Sequence, residues 1–242
     1  MRLVTGLQAV REAIRVHGKD LERVLVEANG GPQIEAVGRF AEDRGAAVTR
    51  VPRGELDRAA KGARHQGVIA YAPELALAPF EDVIAKVEEG TAVVVALDEL
   101  EDPQNFGAVI RSAVALGATA ILWPEHHSAP LSPATFRASA GAIEHAMLCR
   151  VGGLPTALED LKRAGALVVG LDANADVRVS DVAVDAKGSV VLVVGAEGKG
   201  LRKTVKRVCS TLAKLPMKGT LDSLNASVAG GIALYELLRS RT

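Results

Sequence analysis

Three short segments carry side chains whose types and spacing suit chemistry. The first is the polar turn Asp98-Glu99-Leu100-Glu101-Asp102-Pro103-Gln104-Asn105-Phe106-Gly107, followed at Arg111 by a guanidinium. The second, Gly195-Ala196-Glu197-Gly198-Lys199-Gly200, sets one carboxylate among three glycines, a composition that lets backbone approach a ligand closely and permits positive φ. The third runs from Leu215-Pro216-Met217 to Ser223-Leu224-Asn225. A guanidinium that stays protonated, an amide and a carboxylate together can orient a polar substrate and stabilise negative charge that develops on it. Each also has a plainer use: Asn105 as a helix cap, Arg111 as a surface charge, Glu197 as a solvent-facing turn residue. The glycine loop fits neither the dinucleotide fingerprint nor the phosphate loop, because its glycines fall at other offsets and no Ser or Thr follows Lys199, which disfavours nicotinamide and nucleoside-triphosphate enzymes.

Each segment follows an apolar run that reads as a strand. Strands are expected at 92–97, 119–122, 147–149, 166–170, 189–194 and 211–214, with helices between them; such alternation implies a parallel sheet covered by helices. Open sheets of this kind place ligands outside the carboxyl ends of their strands. After the first strand, Phe106, Val109, Ile110, Ala113 and Val114 form the buried face of a helix that Asp102 or Asn105 can cap, with Pro103 in its first turn. Arg111 lies about 140° around that helix from Phe106 and points away from the buried face. The third segment feeds a helix ending near Arg239, with Asp222 or Ser223 as cap and Leu224, Val228 and Ile232 as a buried stripe. Gly230 and Gly231 within it each cost roughly 0.8–1 kcal/mol relative to alanine, which implies close approach of another backbone.

The N-terminal part reads as a separate α/β unit over 1–72. Leu7, Val10 and Ile14 suit a helix, Val24-Leu25-Val26 a strand, Ile34, Val37, Phe40 and Ala41 a second helix, Ala47-Val48-Thr49 a strand, and Gly67 to Tyr71 another. Residues 73–90 form a linker with two prolines at 73 and 79 and a connecting helix from Phe80; residues 91–242 form the larger domain. The net charge is zero, yet residues 1–72 hold 12 Lys and Arg against 9 Asp and Glu. Arg50, Arg53, Arg58, Lys61 and Arg64 cluster there beside His65; they offer either a phosphate-binding face or a solvated one. Cys149 and Cys209 read as free thiols. No secretory signal or membrane span is apparent, so a cytoplasmic protein is expected.

In this order the three segments resemble the motifs of the SpoU or TrmH family of RNA ribose 2′-O-methyltransferases, which belong to the SPOUT fold. Asn105, Gly107, Arg111, Ser112-Ala113 and Gly117 match the first motif, Gly195-Ala196-Glu197-Gly198 the second, and Leu215-Pro216-Met217 with Ser223-Leu224-Asn225-Ala226-Ser227-Val228 the third. Gly6 and His65-Gln66-Gly67-Val68-Ile69-Ala70 are similar to the ribosomal-protein-like substrate-binding domain of the RlmB branch. The resemblance implies a trefoil-knotted domain, a homodimer and the cofactor S-adenosyl-L-methionine, held by Gly195, Leu215 and Leu224 with Met217 and Asn225. It implies Arg111 as the catalytic residue, with Asn105 and Glu197, and RNA contacts from Arg53, Lys61, Arg64, His65 and Ser223. No metal is expected. The implied substrate is a guanosine of large-subunit (23S) rRNA; a tRNA methyltransferase of the same family and a non-catalytic RNA-binding assembly factor are the rivals. A guanidinium holds its proton too firmly to serve as a base, so Arg111 is expected to stabilise the developing alkoxide and clamp the adjacent phosphate.

Overall fold

Short β-branched runs alternate with helices through the first 76 residues, in the order β1 (Arg2–Thr5), α1 (Leu7–His17), β2 (Arg23–Glu27), α2 (Pro32–Asp43), β3 (Val48–Val51), α3 (Arg53–Ala60) and β4 (Val68–Ala72). The computed structural model describes residues 1–220 and 223–239. The strands join in the order β1-β4-β2-β3, antiparallel except for the β2–β3 pair. Alternation divides their side chains cleanly. Val4, Val24, Val26, Val68 and Ala70 bury against α1 and α2, whereas Leu25, Ile69 and Val51 bury against Leu56 and Ala60 of α3. The basic segment after β3 is thus a helix, and β1 is a strand that the periodicity did not single out.

Residues 131–145 belong to this first unit, although they come from the middle of the chain. They form α6 (Pro133–Ala138), capped by Ser132, and a 3-10 turn at Ala142–His145. A buried ion pair fastens them. Both terminal guanidinium nitrogens of Arg2 bond the Glu144 carboxylate, with His17 2.9 Å from the same group. Glu12 meets His145 at 2.9 Å and also Arg15. Gly141, at φ +86°, lies so close to α1 that a Cβ there would sit 2.9 Å from the Cα of Ala9; only glycine fits both the angle and the space.

The second unit covers 77–130 and the chain from Ala146 onward. Its elements are α4 (Phe80–Glu88), β5 (Val93–Asp98), α5 (Pro103–Ala115), β6 (Ala120–Pro124), β7 (Met147–Val151), α7 (Leu154–Arg163), β8 (Leu167–Leu171), β9 (Val177–Arg178), β10 (Val190–Gly195), α8 (Lys203–Val208), β11 (Thr211–Lys214) and α9 (Ala226–Leu238). The sheet runs β7-β6-β5-β10-β8-β11-β9 with parallel pairing throughout. All six expected strands are present, each within two residues of its expected bounds, and β9 is added. Val83, Leu154, Leu158, Leu161 and Val205 of α4, α7 and α8 share a core with Val94, Ala96, Val191 and Val193. Trp123 meets Phe106 edge-on, with ring centroids 5.5 Å apart.

The last helix departs from expectation in two ways. Its cap is Asn225, whose Oδ1 accepts from the N–H groups of Ser227 and Val228; Ser223 lies outside the helix, and Asp222 lies outside the described residues. Its buried face is Ala226, Gly230, Ala233, Leu234 and Leu237, while Leu224, Val228 and Ile232, expected inside, are exposed. The small residues explain the reversal. A Cβ on Gly230 would lie 3.2 Å from Val194, and one on Gly231 3.3 Å from Ser112, so the glycines seat α9 on the side chains of β10 and α5 rather than on another backbone.

Candidate active site

β5 and β10 lie side by side in register, with Asp98 opposite Gly195 at their carboxyl ends. Asp98 is fully buried, and its carboxylate accepts from the Arg202 backbone N–H at 2.8 Å and from Arg202 Nε at 2.7 Å. This double contact fixes the far end of the loop that leaves Gly195. Within the loop Gly200 N–H donates to Ala196 at 2.8 Å, and Gly198 and Gly200 take φ +77° and +65°. The hook is so tight that a Cβ on Gly195 would sit 2.3 Å from the Gly200 carbonyl carbon. Removing one partner of a buried charge pair costs about 3–5 kcal/mol; Arg202 is partly exposed, so Asp98→Ala is expected to cost about 3 kcal/mol in denaturant unfolding and to weaken ligand binding at this loop. Unchanged stability would show that the loop holds its shape without Asp98.

Asp102 caps α5, accepting from the N–H groups of Gln104 and Asn105. The Asn105 side chain is thereby freed. Its Nδ2 donates to Glu197 Oε2 at 3.0 Å, its Oδ1 accepts from Asn225 Nδ2 at 2.7 Å, and Asn225 Oδ1 accepts in turn at the start of α9. The direction of this chain has a physical cause. An ionised carboxylate only accepts, so Asn105 must present its NH₂ to Glu197 and its oxygen to Asn225, which leaves the Asn225 oxygen for the helix N–H groups. One side chain from each of the three segments is therefore joined in a single relay.

Beside the relay opens a cavity of about 430 Å³, bordered by Gly195, Glu197, Leu215, Met217, Ser223 and Leu224. All six of these residues were singled out from the sequence as site residues; Asn225 does not line the cavity but is bonded to Asn105. Asp172, Asn174 and Lys206 also border the cavity and were missed. Lys206 Nζ lies 2.6 Å from Asp172 Oδ2. Burial pushes the Asp172 carboxyl up, but the hydrogen bonds from Lys206 and the Asn174 N–H and the Lys206 charge outweigh it and hold the group below its usual range. Its position at the carboxyl end of β8 was the available signal. A smaller hollow of about 280 Å³, bordered by Glu99, Glu101, Asn105 and Lys199, shares Glu197 with the first, so the glycine loop is a wall common to both.

Arg111 is exposed, lies outside both hollows and has no hydrogen bond or ion pair among the described residues. On α9, which packs against α5, Val228, Ile232 and Tyr235 are 48%, 43% and 57% exposed, an apolar row at the i, i+4, i+7 spacing of one helix face.

In the first unit the basic cluster is divided. Arg50 is paired with Glu35 and Glu42, and Arg53 reaches Glu27 at 3.4 Å. Arg53, Arg64, His65 and Gln66 border one cavity of about 500 Å³, whereas Lys61 borders another. His65 is buried: its Nδ1 accepts from the Gly67 N–H, leaving Nε2–H to donate to Asp57 at 2.9 Å. Those bonds hold the loop before β4, and Gln66 Oε1 accepts from Leu7 N–H at the start of α1. Burial raises both free thiols, Cys149 and Cys209, to about 11, so they stay protonated near neutrality. Among the described residues no group of three or more His, Cys, Asp or Glu has metal-holding geometry, and no helix is long and apolar enough to cross a membrane.

Comparison with known proteins finds two family models on the chain. The model of the SpoU rRNA Methylase family matches residues 92–235, and that for RNA 2′-O ribose methyltransferase substrate binding matches residues 3–77. YacO of Bacillus subtilis, named as a TrmH family tRNA/rRNA methyltransferase, is 39% identical over 240 residues, covering 98% of this chain and 95% of its own. An AdoMet-bound rRNA methyltransferase from Sinorhizobium meliloti superposes with TM-score 0.77 at 28% identity, over 99% of this chain and 87% of that one. A structure described for 2-OH methylation of C/U34 on tRNA has TM-score 0.55 at 32% identity, over 61% of this chain and 95% of that one.

Proposed function

Because the chain belongs to the SpoU family of S-adenosyl-L-methionine-dependent RNA 2′-O-methyltransferases, we propose that it methylates the ribose 2′-hydroxyl of a guanosine in 23S rRNA, acting in the cytoplasm as a homodimer. The observation that carries this reading is the Glu197–Asn105–Asn225 relay beside the cavity bordered by Gly195, Leu215 and Leu224. The cavity suits the cofactor. Its volume falls within the range of small-molecule sites, Leu171, Val194, Leu215 and Leu224 offer apolar surface for a flat base, and Asp172, Glu197 and Lys206 supply charge for the polar ends. When bound, S-adenosyl-L-methionine supplies a methyl group on a sulfonium, already an activated leaving group.

What the chain itself must supply is position and charge. A ribose hydroxyl is a poor nucleophile, and in-line attack needs it held about 3–3.5 Å from the carbon it attacks. Glu197, oriented by Asn105, is assigned to hold the ribose, and Arg111 to stabilise the oxygen as its proton leaves and to clamp the neighbouring phosphate. Arg111 lies outside its own cavity on α5, the helix that packs against α9, and α9 exposes the Val228, Ile232 and Tyr235 row. Pairing two copies through that row supplies the guanidinium to the site of the other copy, and the trefoil threading implied by the motifs keeps the loops of each site together.

The ribosomal substrate is supported by the extent of the likeness. The rRNA methyltransferase neighbour spans nearly the whole chain, including the N-terminal unit, while the tRNA-directed one spans 61% of it. Mapping 2′-O-methylation in ribosomal and transfer RNA from cells with and without this protein tests the reading. One guanosine of the large-subunit rRNA is expected to lose its methyl group; a loss confined to tRNA would move the substrate to that class.

A further inference from the structure

We infer that the α3 side of the N-terminal sheet, completed by α6, forms a binding surface for an unpaired nucleotide of RNA. The inference rests on the RNA methyltransferase reading and adds to it one particular face of the unit matched as substrate-binding over residues 3–77, together with Pro133 and Arg137 of α6, which lie beyond that match. Register sets Leu3 beside Tyr71 and Tyr71 beside Arg23, one row across β1, β4 and β2. Helix α3 covers Leu25, Val51 and Ile69 on this face and leaves Leu3 and Tyr71 half-buried.

Over this uncovered row lies a cavity of about 730 Å³, bordered by Leu3, Lys61, Gly62, Tyr71, Pro133 and Arg137. Its lining holds two cations and no carboxylate. Lys61 and Arg137 are exposed, and neither side chain has a hydrogen bond or ion pair among the described residues. The Arg23 guanidinium lies 4.5 Å from the centroid of the Tyr71 ring, so the ring already accepts a planar cationic partner. Arg137 and Pro133 are set in place because Glu144, further along the same segment, is locked to Arg2.

An aromatic ring on an open sheet face, flanked by cations without partners, is the chemistry of single-strand recognition: bases stack on the ring and phosphates meet the charges. Duplex RNA keeps its bases stacked inside and presents none to such a ring. A folded protein partner is disfavoured because the row offers one aromatic and little continuous apolar area. The surface shares only Ala63 with the Arg53, Arg64 and His65 cavity, so the two are separable by mutation of Tyr71 or Arg137.

Fluorescence anisotropy with a fluorescein-labelled single-stranded oligouridylate, and with a duplex of equal length, tests this on the full chain. Tyr71→Leu and Arg137→Glu are each expected to weaken single-strand binding about fivefold or more, with Tyr71→Phe near wild type and S-adenosyl-L-methionine affinity by calorimetry unchanged in all three. Tyr71→Leu is expected to affect the duplex less. Unchanged single-strand affinity in both Tyr71→Leu and Arg137→Glu, with the unmodified protein binding RNA, would overturn this surface and leave the methyltransferase reading standing. Failure of the unmodified protein to bind the single strand would overturn this surface, whereas the methyltransferase reading stands or falls on the methylation mapping.

Discussion

Replacing Arg111 with alanine is expected to lower methyl transfer about 10²–10³-fold, the usual effect of removing one donor from a developing oxyanion, while S-adenosyl-L-methionine affinity stays within about twofold. The separation follows from where the residue stands. Arg111 is exposed on α5, has no partner among the described residues and does not border the cavity, so its removal breaks no contact that shapes the cofactor site or the fold. Arg111→Lys keeps the charge but loses the planar fork, and is expected to recover only part of the rate. Single-turnover transfer from labelled S-adenosyl-L-methionine measures the first quantity and calorimetry the second. Turnover retained by Arg111→Ala would remove the residue from the chemistry.

Gly195→Ala is expected to do the reverse, damaging cofactor binding first. The added methyl would meet the Gly200 carbonyl carbon at 2.3 Å and the Leu201 nitrogen at 2.6 Å, and the loop cannot recede while Asp98 holds Arg202 at both N–H and Nε. Forced overpacking costs about 1–3 kcal/mol, or roughly 5- to 150-fold in affinity. Gly198→Ala is the matched control. Nothing lies within 4 Å of its Cβ position, so only the left-handed backbone at φ +77° is strained, which costs about 1–2 kcal/mol at a point that faces open space. Calorimetry should therefore find Gly195→Ala the weaker binder of the two; affinity equal to wild type would show that the loop opens more easily than its contacts imply.

Much of this was legible in residue order. The continuous apolar runs before Asp98 and Gly195 are strands buried on both faces, and such strands need no alternation to be recognised. The outward direction of Arg111 followed from helical geometry alone. The face of α9 did not, because that helix is apolar nearly all round and periodicity cannot choose among Leu224, Val228, Ile232, Leu234 and Leu237; its glycines settle the matter only once Val194 and Ser112 are in place. Nor could spacing reveal that Glu144 pairs with Arg2, 142 residues away, and carries a central segment into the N-terminal unit. Asp172 and Lys206 escaped notice for the same reason: one follows a strand and the other sits in a short helix, and only the folded chain brings them to one cavity.

The most direct test of the composite site mixes the two defective proteins. Arg111→Ala keeps its cofactor loop, Gly195→Ala keeps its guanidinium, and with S-adenosyl-L-methionine held well below the Kd of Gly195→Ala each alone is expected to have little activity. If Arg111 serves the cavity of the other copy, a mixed dimer holds one complete site, and random re-association should restore about a quarter of wild-type methyl transfer. Mixed dimers that form, as seen by mass spectrometry, yet remain as inactive as their parents would contradict the account.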